Sequence, residues 1–234
     1  MESAVPHQSG HDEGRSARTH RQREYWSGRY AEDPNLFGES ESALAHWGLK
    51  AVGNVPPGGT LIELGCGNGR DLRYFQSLGY QVRGVDCAGD VPFRQLPHLQ
   101  PLDIQCRDAL EFLQQQGSSA VDVVYSNLFY NMDFTEEDHR ELFREAARVL
   151  RPGGFHLYSV RTVKDRWYGR GRKVGEDTYD STPDGTTMHF FSSEYARRLR
   201  PDELTLVQEE EFEKGKGDFP IQVLYIAERK RAGP

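Results

Sequence analysis

From Thr60 onward, hydrophobic residues come in short runs of five or six, separated by longer stretches in which they recur every three to four positions. The runs TLIEL (60–64), QVRGV (81–85), LDIQC (102–106), VDVVYS (121–126) and FHLYSV (155–160) predict strands. The intervening stretches predict helices at 70–78, at 109–116 and, interrupted by Pro92 and Pro97, near 91–99. A further helix, TEEDHRELFREAARVL (135–150), opens on Thr135 with acids in its first turn and stops at Arg151-Pro152-Gly153-Gly154. Strand and helix in alternation predict an α/β fold, a mostly parallel sheet with helices on both faces.

The two flanks follow other rules. Residues 1–20 are polar and hold no aromatic residue, which predicts a flexible tail. Residues 21–55 predict a helical cap in two parts: one segment placing Trp26, Arg29 and Tyr30 on a shared face, then SALAHWGLKAV before the turn NVPPGG (54–59). That aromatic face suits either a plain core contact or a lid over a ligand. Residues 56–234 form the main domain. Within it, 161–191 shows no sustained period and predicts a long functional loop on the substrate side. A helix (192–199) and two strands (204–212 and 219–229), joined by the turn EKGKGD, predict a closing antiparallel hairpin.

Bulk composition narrows the class. A chain of 234 residues with 36% hydrophobic and 28% charged content suits one globular domain with an appendage. No apolar stretch nears the roughly 20 residues of a membrane span, and the N-terminus lacks a secretory apolar core, so a cytoplasmic location is expected. Three cysteines without a CxxC pair indicate neither a disulfide framework nor a zinc cage, and are expected to be small buried residues. A net charge of −7 argues against nucleic acid and anionic membranes as general partners.

The candidate chemistry lies at 61–71, LIELGCGNGRD. Gly65, Gly67 and Gly69 follow the first strand, where a parallel sheet places its ligand, and let the backbone approach a bound group closely. The amides opening the next helix suit an anionic group such as a carboxylate. The spacing GxGxG is one residue short of the dinucleotide pattern, so dinucleotides and S-adenosylmethionine compete for the loop. Asp86 ends the second strand 17 positions after Gly69 and can accept from both ribose hydroxyls. Asp108 follows the third strand and can accept from an adenine amine, with Ala109 leaving room for the ring. Glu63, ending the first strand, can orient the loop or meet an amino group. Each acid also has a structural use as a helix cap or solvated strand end.

As an ordered set, IELGCGNGRD, VRGVD, CRDA, VDVVYSNLFYNM and ARVLRPGGFHLYSV resemble the motifs of class I S-adenosylmethionine-dependent methyltransferases across about residues 60–160. YWSGRYAEDPNLFG and HFFS are similar to small-molecule enzymes of the tellurite-resistance and thiopurine type. The resemblance implies a Rossmann-like seven-stranded sheet with the last strand antiparallel, S-adenosyl-L-methionine as cofactor, S-adenosyl-L-homocysteine as product, and no metal. It implies a cofactor site of Glu63, Gly65, Cys66, Gly67, Asn68 and Gly69, then Asp86, Cys87, Asp108, Ala109, Ser126 and Asn127, covered by Trp26, Arg29 and Tyr30. The prolines after Asp86 depart from the family's usual helix there.

Such a reaction needs in-line alignment of a nucleophile and, for an amine or hydroxyl acceptor, a general base. The candidates are His189, Tyr130 and Arg161, with Arg161 able to hold an acceptor's carboxylate or phosphate. The expected partner is a small-molecule acceptor, anionic if Arg161 holds a carboxylate or phosphate. Three alternatives stand beside it: a nucleic-acid methyltransferase using the basic, aromatic stretch 164–173, a non-catalytic cofactor-binding module, and an NAD-dependent enzyme.

Overall fold

The computed structural model describes residues 8–53, 58–89, 102–182, 185–214 and 220–232. The first five strands are β1 (Thr60–Leu64), β2 (Gln81–Asp86), β3 (Asp103–Cys106), β4 (Val121–Asn127) and β5 (Leu150–Arg161). Three short strands follow, β6 (Arg172–Gly175), β7 (Thr178–Asp180) and β8 (Met188–His189), then β9 (Leu204–Lys214) and β10 (Ile221–Lys230). Seven strands form one sheet in the order β3-β2-β1-β4-β5-β10-β9, parallel except for β10, which runs antiparallel to both neighbours. The strand order reverses between β1 and β4, which opens a crevice beyond their carboxyl ends.

The apolar runs are buried because both sheet faces are covered. On one face α4 (Ala109–Gln114), α5 (Glu136–Val149) and α6 (Ser193–Leu199) enclose Phe112, Phe143 and Tyr158. On the other, α2 (Ala43–Val52) and α3 (Arg70–Ser77) enclose Leu44, Phe75 and Tyr125. Each such side chain contributes about 1.5–3 kcal/mol by leaving water. The N-terminus of α5 is fixed as the sequence suggests: Thr135 accepts from the Asp138 amide while Asp138 accepts from the Thr135 amide.

Three expectations change. The stretch expected to be a tail is helical from Gln8, where α1 (Gln8–Glu32) begins. Arg15 pairs with Glu141 at 3.2 Å, Arg18 with Asp138, and the Thr19 hydroxyl donates to Asp108 at 2.9 Å. Polar side chains, which a count of apolar residues overlooks, thus dock this segment. The long loop 161–191 contains the antiparallel sheet β6-β7-β8 with its own cluster of Tyr179, Met188 and Phe190. Of the cysteines, Cys66 is buried, Cys87 half-buried and Cys106 exposed, and all are free thiols. The expected helix near 91–99 lies outside the described residues, as does most of the turn at 54–59.

Candidate functional site

The loop after β1 turns back over β2, the amides of Gly65 and Cys66 both donating to the Val85 carbonyl at 2.8 and 3.1 Å. Gly65, Gly67 and Gly69 hold φ of 68°, 53° and 73°, the left-handed region that favours glycine. A β-carbon at Gly65 would stand 2.8 Å from the Phe129 ring, and one at Gly67 would run into the Tyr30 hydroxyl. Asp86 locks the turn: its Oδ2 accepts from the Gly67 amide at 2.9 Å and its Oδ1 from the Ala88 amide at 2.8 Å. Each oxygen keeps a lone pair for a further donor.

Beneath α1 these groups surround a cavity of about 380 Å³. Thr19, Gln22, Trp26, Arg29 and Tyr30 form the roof. Trp26 and Tyr30 pack on Phe37 with centroids 6.0 and 6.3 Å away, and Arg29 donates to the Tyr25 hydroxyl at 3.1 Å. From the expected cofactor set, Glu63, Gly65, Cys66, Gly67 and Asn68 line the cavity, with Asp86, Cys87, Asp108, Ala109 and Asn127. Gly69 and Ser126 stand outside the lining. Gly69 is the N-cap of α3, and Ser126 is wholly buried within β4. Asp108 serves the structural role weighed for it: Oδ1 caps α4 through the Leu110 and Glu111 amides, and Oδ2 takes the Thr19 hydroxyl.

The three catalytic candidates separate. Arg161 lines the cavity, held by Asp165 through Nε at 3.1 Å and Nη2 at 2.6 Å. Tyr130 does not line it; its ring is core, and its hydroxyl meets His156 Nε2 at 2.9 Å. His189 is likewise outside the lining, packed on Phe191 and Tyr195 with Nδ1 on the Thr178 hydroxyl at 2.8 Å. Burial lowers His189 to about 4, so it is neutral, and it does not line the cavity.

Two site features carried no signal in the sequence. Asn131 is fully buried, accepts from the Arg161 amide at 2.7 Å and donates to the His189 carbonyl at 2.7 Å, tying the strand-four loop to β5. Lys214, at the end of β9, reaches 3.5 Å from Asn127 Oδ1; burial and the nearby Arg70 charge push it down to about 8. As a lysine in EKGKG it reads as a solvated turn, and only the sheet order brings it to this edge.

Lys164 pairs with Glu211 at 2.6 Å and Arg172 with Asp180 at 2.8 Å, while Trp167 and Tyr168 pack inward against the Tyr179 cluster. No helix among the described residues is long and apolar enough to cross a membrane.

The residues present fit a sulfonium amino-acid cofactor. Glu63 Oε2 is buried without a hydrogen-bond partner, suited to a cationic amino group. Its carboxyl is pushed up first by burial, then by Asp71. The glycine cradle admits a backbone-hugging ligand, and Asp86 offers two oxygens to a diol. Fold and cradle together match what the resemblance to class I methyltransferases implies.

Comparison with known proteins finds that a family model described as a methyltransferase domain matches residues 62–158. A ubiquinone biosynthesis O-methyltransferase of Caulobacter vibrioides is 32% identical over 132 residues, covering 53% of this chain and 50% of that protein. One from a second Caulobacter strain is 31% identical over 173 residues, covering 70% and 63%. The chain thus spans about half to two-thirds of the length of these curated relatives. Among solved structures, a methyltransferase of Methanosarcina mazei shares the fold at TM-score 0.67 and 17% identity, covering 83% of this chain and all of that one. The 1,6-didemethyltoxoflavin-N1-methyltransferase of Burkholderia thailandensis, solved with S-adenosylhomocysteine, matches at TM-score 0.57 and 16% identity, covering 99% of this chain and 92% of that one.

Proposed function

We propose that the chain transfers a methyl group from S-adenosylmethionine to a small-molecule acceptor by in-line displacement. The observation that carries this reading is the convergence of Glu63, Asp86 and Asp108, from three successive strand ends, on one cavity behind a glycine turn. The cofactor supplies an already electrophilic sulfonium methyl. The chain's own task is to bind, align and exclude water.

In this reading Asp86 accepts from a ribose and Glu63 meets the amino group, while Trp26 and Tyr30 close the roof, a division supported by all four lining the cavity. Asn127 and Phe129 border the space where an acceptor would meet the methyl. Orientation of this kind can supply about 7–11 kcal/mol of a barrier. The curated relatives' names favour an oxygen acceptor. Neither His189 nor Tyr130 stands in the cavity, so the reading assigns them no proton transfer.

The test is a screen of hydroxylated small molecules with isotopically labelled methyl donor, read by mass. Label in a small acceptor supports the reading. Cofactor binding with no label in any acceptor would instead favour a non-catalytic module.

A further inference from the structure

Three of the arginines that line the cavity, Arg15, Arg18 and Arg161, are each matched by an acid. Arg161 is only 6% exposed, and Asp165 engages its Nε and Nη2. Asp165 is itself fixed by the backbone amides of Trp167 and Gln222, each at 2.9 Å. The guanidinium lies 4.1 Å from the Trp167 ring centroid and 5.8 Å from that of Phe190. Arg18 meets Asp138, and Arg15 meets Glu141.

The lining also holds an apolar set, Phe129, Met132, Phe134, Leu142, Met188 and Ile221. An acceptor carboxylate or phosphate set against Arg161 would lose its water at this wall, find that cation already matched, and lie near the Asp165 carboxylate. Desolvating an ion without a partner is costly. A neutral ring gains by burial instead, and one of its oxygens can still accept from the Nη1 edge of Arg161, which Asp165 does not engage.

We propose that the site around Arg161 selects an uncharged, aromatic acceptor, and that Asp165 sets this selectivity by neutralising Arg161. The proposal rests on the methyl-transfer reading and decides against the anionic acceptor that the sequence left open. Arg161 becomes a neutralised wall residue instead of an anion receptor.

The test uses benzoate and its neutral isostere benzamide as probes, read by thermal shift and calorimetry on protein saturated with S-adenosylhomocysteine. Wild type is expected to respond to benzamide more than to benzoate. Asp165→Ala, which leaves Arg161 unmatched, is expected to reverse the order, raising the benzoate-to-benzamide affinity ratio at least about tenfold, as a charge-assisted hydrogen bond implies.

Benzoate binding to wild type as well as benzamide, or no gain of benzoate response in the variant, overturns the proposal. If Asp165→Ala does not fold, Asp165→Asn removes the charge while keeping an acceptor for one of the two backbone amides, and the same ratio decides. Failure of S-adenosylhomocysteine to bind wild type would speak against the methyl-transfer reading alone. The benzoate comparison is then made on the free protein and still decides the role of Asp165.

Discussion

The hydroxyl of Tyr30 rests against Gly67, in the space that a β-carbon at residue 67 would occupy. Roof and floor of the cavity therefore meet at one glycine, and the helix carrying Trp26 and Tyr30 can close only because that position is bare. Gly67→Ala should displace Tyr30 and also strain a φ of 53°, at about 1–2 kcal/mol. Calorimetry should show S-adenosylhomocysteine binding weakened by tenfold or more. Tyr30→Phe, which keeps the ring, should cost less. Equal affinity of Gly67→Ala and wild type would separate the roof from ligand binding.

Asp86 has two duties, since the oxygens offered to a ribose already hold the Gly67 and Ala88 amides. Asp86→Ala should reduce cofactor affinity by roughly 1.5–3 kcal/mol, the range of charge-assisted hydrogen bonds, and lower the melting temperature as well. A variant that melts earlier yet binds unchanged would confine Asp86 to holding the turn.

Truncation tests the helical start of the chain. Removing residues 1–20 deletes Arg15, Arg18 and Thr19, which tie α1 to Glu141, Asp138 and Asp108. Cofactor affinity should fall several-fold, since the roof loses half its anchorage. Unchanged affinity would mean that the remainder of α1 closes the cavity unaided.

Acid should destabilise the protein through its buried histidines. Burial lowers His139 to about 3 and His189 to about 4, below the ordinary value of about 6.5. The unfolded chain therefore binds more protons between about pH 6.5 and 4, and stability falls as pH drops through that window. Each group contributes a slope of up to about 1.4 kcal/mol per pH unit, or about 3–6 °C in a domain of this size. Glu63 and Asp86, whose carboxyls are raised by burial, act with the opposite sign. The decisive quantity is the difference between wild type and His189→Phe, which should lose one histidine's share of the slope. Identical slopes would show that His189 does not titrate on unfolding.

The sheet was legible because its signal is local. TLIEL and VDVVYS are apolar where β1 and β4 are buried, and the glycine turn follows β1 directly. Asp86 and Asp108 were legible as strand-end acids, although the structure gives both of them backbone amides to satisfy as well. What escaped was non-local or polar. Arg18 and Asp138 are 120 positions apart, with no periodic pattern to announce their pairing. His189 and Tyr130 looked available as polar groups near strand ends, but the direction of a side chain from its backbone, inward to the core or outward to the cavity, depends on packing by Phe191, Tyr195 and His156.

The account rests on the cavity under α1 holding an adenosyl amino acid, and calorimetric titration with S-adenosylhomocysteine addresses that most directly. Saturable binding of one molecule per chain, with no competition from NAD, is the predicted result. Absence of binding, or displacement of the ligand by NAD, would contradict it.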